Sequence, residues 1–160
     1  MDWRTIEGWF DEENYKMLQT IKLPENPVIL ESGTHKGKST NVLAELWPDS
    51  KIFTCDPEDY KPILPENATF YNCETVNLRW DQWGKSIDLL FIDNSHQMED
   101  IRDDWDKYEP FVNVGGYIVL HDYHKEHTTV DDVRDFVDSL PKDKITIFTD
   151  GEFGGAIYRK

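Results

Sequence analysis

The chain has 160 residues, of which 38% are hydrophobic, and its 32 acidic against 17 basic residues give a formal net charge of -15. A chain of this length can bury most of its apolar surface around one core, so we expect a single domain over residues 1–160. The excess negative charge repels polyanions, and the sequence shows no basic cluster that could hold a phosphate backbone. Nucleic acid is therefore not an expected partner, and a small or neutral ligand is favoured.

The two cysteines, Cys55 and Cys73, are too few for a disulfide framework and are expected to be packing thiols. The first residues lack the charged-then-apolar pattern of a secretion signal. No apolar run approaches the about 20 residues that a membrane-spanning helix needs. We therefore expect a cytoplasmic protein with no membrane partner.

The amino-terminal part of the chain predicts a helical cap over residues 1–26 in front of a sheet core over residues 27–160. Apolar residues recur at helical spacing over residues 12–21. Asp11 is expected to cap this helix, and Pro24 limits its far end.

From Pro27 onward, short apolar runs alternate with segments of helical period, which is typical of stacked βαβ units and a mostly parallel sheet. Helices are predicted from Lys38 to before Pro48, over residues 98–108 and over residues 130–140. The last two apolar runs flank a glycine-rich turn and predict a terminal hairpin. The predicted strands cover residues 28–30, 51–54, 69–71, 87–92, 117–120, 145–148 and 156–158.

The loop after the first strand carries the clearest ligand signal. Residues 31–40 read Glu-Ser-Gly-Thr-His-Lys-Gly-Lys-Ser-Thr and join a buried strand to a helix. Gly33 can adopt a positive φ and lets the backbone approach a ligand, while Gly37 permits close packing at the helix start. Ligands of open parallel sheets bind beyond the carboxyl ends of the strands, so we expect the binding site here.

Two nucleotide-binding interpretations of this loop fit less well. A phosphate-binding loop needs four residues between its glycines, and only three separate Gly33 from Gly37. The acid after the fourth strand, Asp93, nevertheless resembles one that holds magnesium, so a nucleotide phosphatase or phosphotransferase stays an alternative. A dinucleotide fingerprint would need glycine at the position of His35.

Residues 31–40 resemble motif I of the class I S-adenosylmethionine-dependent methyltransferases, whose small-molecule branch reads Glu-Ile-Gly-x-x-x-Gly-x-Ser-Thr. Residues 88–96 resemble the family's fourth strand, and residues 115–123 resemble its fifth strand, with Gly-Gly before it and His-Asp-Tyr after it. The chain departs from the family at Ser32, where isoleucine is common, and at Ser95, where aspartate is common. The resemblance implies a Rossmann-like α/β sheet of seven strands in the order 3-2-1-4-5-7-6, with an antiparallel carboxy-terminal hairpin.

The resemblance also implies that the cofactor is S-adenosylmethionine. Ser39 would reach its carboxylate and Glu31 its ammonium group, while Asp56 would accept hydrogen bonds from the ribose hydroxyls. The complete cofactor set that it implies is Glu31, Gly33, Thr34, His35, Gly37, Ser39, Asp56, Pro57, Cys73, Glu74, Asp93 and Asn94.

Methyl transfer requires an aligned acceptor and removal of the acceptor's proton. Acids and histidines that follow the fourth and fifth strands, among them His124, are expected to converge where acceptor and cofactor meet. His96 is the candidate general base, with Asp93 and His121 as further catalytic residues. By resemblance to related enzymes, Asp93, His121 and Asp122 could bind a divalent metal ion, although imidazole is a poorer ligand for magnesium than oxygen.

The expected reaction is O-methylation of a small molecule or sugar. A domain that binds S-adenosylmethionine without turnover is a further alternative, because so short a chain has little material for an acceptor pocket. A second copy of the chain in a homo-oligomer could complete such a pocket.

Overall fold

The computed structural model describes residues 2–124 and 132–160 of the chain. Seven strands form one sheet, in the order β3-β2-β1-β4-β5-β7-β6. The predicted order and the antiparallel terminal hairpin are confirmed. The strands are β1 (Val28–Ser32), β2 (Lys51–Asp56), β3 (Ala68–Asn72), β4 (Ile87–Ile92), β5 (Val112–His121), β6 (Ile145–Phe148) and β7 (Gly155–Arg159).

Four α-helices accompany the sheet in the described residues: α1 (Glu12–Gln19), α2 (Lys38–Leu46), α3 (Met98–Tyr108) and α4 (Asp132–Ser139). Asp11 caps α1 as predicted, because its Oδ1 accepts hydrogen bonds from the backbone N–H groups of Glu13 and Asn14, both at 2.9 Å. Val130 of the last predicted helix lies outside the described residues. None of the helices in residues 2–124 and 132–160 is long and apolar enough to cross a membrane.

The parallel pairing of the central strands determines where a ligand can bind. β1 pairs in parallel with β2 and with β4, and β4 pairs in parallel with β5. In register, Ser32 at the end of β1 lies beside Cys55 of β2 and Ile92 of β4. The loops that follow these strands therefore leave the sheet at the same edge.

β5 begins at Val112, five residues before its predicted start, and passes through Gly115 and Gly116. A side chain at Gly116 would come within 3.0 Å of the carbonyl oxygen of Asp88, so glycine allows the two backbones to approach closely. The pairing register between β4 and β5 shifts in this region. The two glycines signal a turn in the sequence, and this is why the sequence pattern places the strand start too late.

Apolar side chains fill both faces of the sheet. Alternate residues of β1 point to opposite sides, so Ile29 packs in the cluster with α1 and α2, and Leu30 packs in the cluster with Tyr108 of α3. Burial on both faces explains why the central strands are nearly continuous in apolar residues. Polar side chains at the carboxyl ends of these strands are exceptions to this pattern, and they form the candidate site.

Candidate active site

A cavity of about 620 Å³ lies at the carboxyl ends of the central strands. Three of the predicted cofactor residues, Glu31, Gly37 and Cys73, are not part of its lining. The predicted cofactor residues that do line it are Gly33, Thr34, His35, Ser39, Asp56, Pro57, Glu74, Asp93 and Asn94. The structure thus brings most of the predicted set to one cavity.

Gly33 lies where the chain leaves β1 and crosses the edge of the sheet. Its φ is +94°, and a Cβ atom there would come within 1.8 Å of the carbonyl oxygen of Asp93. The backbone N–H of Gly33 donates to the carbonyl of Cys55 at 2.9 Å, and that of Asp93 donates to the carbonyl of Ser32 at 2.8 Å. These contacts join the loop after β1 to β2 and the loop after β4 to β1, and no side chain fits at Gly33.

Glu31 is completely buried under the loop, at 0% exposure. Its Oε2 accepts a hydrogen bond from Thr40 Oγ1 at 2.5 Å, whereas its Oε1 is buried and has no partner among the described residues. Burial raises the pKa of Glu31 from 4.5 to about 7. An unpaired buried carboxylate oxygen is costly, and a cationic ligand group such as the methionine ammonium of the cofactor would satisfy it.

Gly37 caps α2 with a left-handed φ of 87° and supports the loop from outside the cavity. A Cβ atom there would lie 2.4 Å from the carbonyl oxygen of Ile63. Asn41 Nδ2 donates to the carbonyls of both Gly37 and Ile63 at 2.7 Å. Gly37 therefore lets the segment after β2 pack against the start of α2.

Asp56, at the end of β2, holds the loop of residues 33–37, which we call the cofactor loop. Its Oδ2 accepts hydrogen bonds from the backbone N–H groups of Thr34 at 3.1 Å and His35 at 2.8 Å. Its Oδ1 accepts from the backbone N–H of Glu58 at 2.9 Å. Asp56 and Pro57 both line the cavity, where a bound ligand could contact them. The contact of Asp56 with the ribose stays a prediction from the sequence.

Two acids and two histidines form a closed ring of contacts at the ends of β4 and β5. His96 Nε2 lies 3.2 Å from Asp93 Oδ1 and 2.9 Å from Asp122 Oδ2. His121 Nδ1 lies 3.2 Å and 3.0 Å from the same two oxygen atoms. Each carboxylate therefore lies within ion-pair distance of both imidazole rings.

The ring is an electrostatic unit. Burial opposes the charge on each histidine, but the two carboxylates outweigh it and raise the pKa of His96 to about 9 and that of His121 to about 10. In return, the histidines outweigh burial and hold the pKa values of Asp93 and Asp122 below their usual range. At neutral pH the ring therefore contains two positive and two negative charges.

His121 occupies the closed side of this ring. Its side chain has no exposed surface, and its ring stacks between Phe10, at 5.7 Å between centroids, and Phe153, at 5.9 Å. Its Nε2 lies 3.3 Å from Asn14 Oδ1. These contacts suit a residue that positions Asp93 and Asp122, and they leave no free nitrogen for a ligand.

His96 lies on the open side, where it lines the cavity together with Asp93 and Asp122. One ligand atom from each of these three residues lies within 4.8 Å of the other two, which is close enough for the three to bind one metal ion. The metal-binding residues predicted from the sequence were Asp93, His121 and Asp122, so the structure replaces His121 by His96. Two carboxylates and an imidazole make a mixed oxygen and nitrogen donor set, which suits manganese or zinc better than magnesium.

The amino-terminal segment lies over the cofactor loop. Lys38 Nζ donates to the carbonyl of Gly8 at 3.0 Å, so it is engaged where a phosphate-binding lysine would be free. Trp9 is 65% exposed, lies 4.9 Å from the His35 ring and lines the cavity with Phe10. The structure therefore gives the phosphate-binding alternative no support.

Three buried residues at the cavity were not found from the sequence: Ser32, Thr75 and Asp104. Ser32 Oγ donates to Asp104 Oδ2 at 2.5 Å and lies 2.6 Å from Thr75 Oγ1. Two signals were present. Ser32 departs from the family motif, and Asp104 occupies a position of the apolar stripe of α3 that contains Ile101 and Tyr108.

Residues 30–123 match the model of a family described as a methyltransferase domain. A curated relative, an uncharacterised protein of Acanthamoeba polyphaga mimivirus, is 28% identical over 111 residues, which cover 59% of this chain and 50% of that protein. The chain thus spans about half the length of this relative.

Solved structures with the same fold include a protein named as a caffeoyl-CoA O-methyltransferase from Staphylococcus aureus, with a TM-score of 0.72 at 17% identity over 96% of this chain and 85% of that chain. An rRNA methylase from Streptococcus thermophilus has a TM-score of 0.68 at 16% identity, over 95% and 99%. The MycE methyltransferase of the mycinamycin biosynthetic pathway, solved with Mg and S-adenosylhomocysteine, has a TM-score of 0.60 at 17% identity, over 84% and 45%. The TM-scores show a shared fold, and at identities this low the similarity shows the fold alone.

Replacing Glu31 by glutamine should separate stability from binding. Because its pKa is raised from 4.5 to about 7, the folded state alone holds a proton between these values, and the free energy of unfolding falls as pH rises through them. At pH 8, Glu31→Gln should therefore be more stable than wild type by about 3 kcal/mol. At a pH near 4.5, where Glu31 is protonated in the folded state, the variant should gain no stability over wild type. Its affinity for S-adenosylhomocysteine should fall at least about tenfold, because the ammonium loses an anionic partner. Urea denaturation and calorimetry measure the two effects, and a less stable variant that binds normally would contradict both.

Replacing His121 by phenylalanine should destabilise the fold, because Asp93 and Asp122 each lose a buried donor. Removing one partner of a buried ion pair costs about 3–5 kcal/mol, and we expect a loss in this range from urea denaturation at pH 7. His124 lies 3.5 Å from Asp122 and is partly exposed, so His124→Ala should cost about 1 kcal/mol or less. Equal stability of the two variants would show that His121 does not hold the ring.

Proposed function

We propose that the chain, which belongs to the methyltransferase domain family, transfers a methyl group from S-adenosylmethionine to an oxygen atom of a small molecule or sugar. The observation that carries this proposal is the arrangement of one cavity. The cofactor loop at Gly33 and the open side of the acid and histidine ring at His96 line the same space.

The residues around the cavity support cofactor binding at the β1 side. Glu31 is buried outside the cavity lining, and its Oε1 has no partner among the described residues, which suits the methionine ammonium. Ser39 lines the cavity at the start of α2, where backbone N–H groups favour a carboxylate. Gly33 lines the cavity and lets the loop after β1 lie against the backbone of Asp93.

The charge at the cavity favours a small acceptor over RNA. Acidic side chains on its rim include Glu58, Glu74, Asp100 and Asp103, whereas Lys38 is its sole lysine or arginine among the described lining residues. A phosphate backbone would be repelled from such a rim. A neutral hydroxyl compound or a sugar meets no such repulsion.

The proposed reaction is an in-line displacement at the methyl carbon. A lone pair of the acceptor oxygen forms a bond to the methyl group while the carbon–sulfur bond of the sulfonium breaks, and its electron pair stays on sulfur as S-adenosylhomocysteine forms. The hydroxyl proton passes to neutral His96, and Asp93 and Asp122 stabilise the imidazolium that results. His121 keeps both carboxylates in place.

A divalent ion fits the same three residues, Asp93, His96 and Asp122. Bound there, it would lower the pKa of an acceptor hydroxyl by its positive charge. His96 would then be a ligand, so its roles as base and as ligand exclude one another.

The cofactor assignment predicts selective stabilisation by S-adenosylhomocysteine. At a concentration of about 100 times its Kd, this product should add about 2.7 kcal/mol to the free energy of unfolding and raise Tm by several degrees. ATP with Mg²⁺ should give no shift in the same thermal-unfolding assay. Stabilisation by ATP alone would contradict the assignment. Stabilisation by S-adenosylhomocysteine without product from a panel of hydroxyl acceptors would favour the domain without turnover.

The base assignment predicts a defined pH dependence. Because the pKa of His96 is about 9, its neutral form increases from pH 7 to 9, and kcat/KM should rise over this range. Once an acceptor is found, His96→Ala should lower kcat by about 10²- to 10⁴-fold while its Kd for S-adenosylhomocysteine stays near that of wild type. Near-normal turnover by His96→Ala would contradict a catalytic role.

Calorimetric titration with Mg²⁺, Mn²⁺ and Zn²⁺ distinguishes a role of His96 as base from a role as metal ligand. A base needs no ion, whereas a ligand gives binding heat that His96→Ala lacks.

A further inference from the structure

A second buried carboxylate lies across the sheet from Glu31. Successive side chains of β1 point to opposite faces, so Glu31 contacts Thr40 of α2 while the next residue, Ser32, contacts Asp104 of α3. Asp104 is 3% exposed and lines the cavity. Asp104 therefore lines the cavity on one face of β1, whereas Glu31 is buried outside the lining on the other face.

The hydrogen bonds of Asp104 use one of its two oxygen atoms. Oδ2 accepts from Ser32 Oγ at 2.5 Å and from Asn94 Nδ2 at 2.9 Å. No hydrogen bond to Oδ1 and no ion pair of Asp104 occurs within residues 2–124 and 132–160. Burial raises the pKa of Asp104 to about 6, as expected for a buried carboxylate that has no positively charged group beside it.

A relay of hydroxyl groups fixes the orientation of this carboxylate. Cys55 Sγ donates to Thr75 Oγ1 at 3.3 Å, and Thr75 Oγ1 lies 2.6 Å from Ser32 Oγ. Since the one proton of Ser32 Oγ goes to Asp104, Thr75 donates to Ser32. Oδ2 is thus held from the protein side, and Oδ1 is the oxygen left for a ligand.

The cofactor has three kinds of hydrogen-bond donor, and two already have candidate partners. The methionine ammonium suits the free oxygen of Glu31, and Asp56 is the candidate for the ribose hydroxyls. The exocyclic amino group of adenine is the donor that remains. Glu74, which precedes Thr75 and also lines the cavity, is exposed to solvent, whereas Asp104 is buried. At the α3 side, the uncharged residues Thr75 and Val76 line the cavity together with Asp104 and the exposed acids Asp100 and Asp103. The two uncharged side chains offer a surface for a flat neutral base.

We propose that Asp104 is the residue that selects adenine in the cofactor, with its free Oδ1 accepting a hydrogen bond from the exocyclic amino group. This inference rests on the cofactor binding stated above and adds a specificity-determining residue to it. A buried polar site that is built for one donor rejects an analogue that lacks the donor, because the acceptor is then left unpaired. Ser32 and Asn94 act through Asp104 as positioning residues.

The test compares two ligands by calorimetry at pH 7.5. One is S-adenosylhomocysteine, and the other is its purine analogue, in which hydrogen replaces the 6-amino group. Wild type should bind the purine analogue about 10- to 100-fold more weakly, the range expected for a hydrogen bond to a charged group. In Asp104→Ala this preference should shrink to about threefold or less, because the acceptor is gone. Asp106→Asn, an exposed change on the same helix, should keep the wild-type ratio.

The outcomes separate this inference from the cofactor assignment itself. Wild type that binds neither ligand overturns both, whereas wild type that binds both ligands equally overturns the role of Asp104 alone. An unchanged ratio in Asp104→Ala also overturns it. Asp104→Asn retains the shape of the side chain and should lose part of the preference, so it replaces Asp104→Ala if thermal unfolding shows that the alanine variant does not fold.

Discussion

The contact between Gly33 and the backbone of Asp93 is the constraint on which the whole edge of the sheet depends. A Cβ atom at Gly33 would lie 1.8 Å from the Asp93 carbonyl oxygen, so the ends of β1 and β4 can meet only at a glycine. This approach brings the loop after β1 to the acid that follows β4. Cofactor loop and charged ring are thereby neighbours in space, although about 60 residues separate them in the chain.

The ring of Asp93, His96, His121 and Asp122 shows how burial and function are balanced. Each ion would be expensive alone in this position, and the four together neutralise one another. The balance is asymmetric, because stacked phenyl rings seal His121 while His96 faces the cavity. A ligand or ion can therefore change the protonation of His96 while His121 continues to hold the carboxylates.

The sequence predicts the fold well because burial on both faces produces strands that are nearly continuous in apolar residues, and because residues 31–40, 88–96 and 115–123 resemble a family whose fold has this strand order. It does worse where tertiary contacts override local signals, as at Gly115 and Gly116 inside β5. The site shows the same division. Spacing along the chain indicates that His96 and His121 lie at one edge, but only packing decides that one is open and the other sealed.

Ser32 and Asp104 illustrate why such pairs escape sequence analysis. With an apolar residue at position 104, the Ser32 hydroxyl would lose the carboxylate that accepts its proton, and with isoleucine at position 32 the buried Asp104 would keep Asn94 as its donor but lose the hydroxyl. Each residue looks like an isolated departure from pattern, since 72 positions separate the two. The two residues satisfy one another through this hydrogen bond, and the pair lies on the face of β1 opposite Glu31. The alternation along β1 therefore places one buried acid, Asp104, in the cavity lining and the other, Glu31, under the loop on the opposite face of the strand.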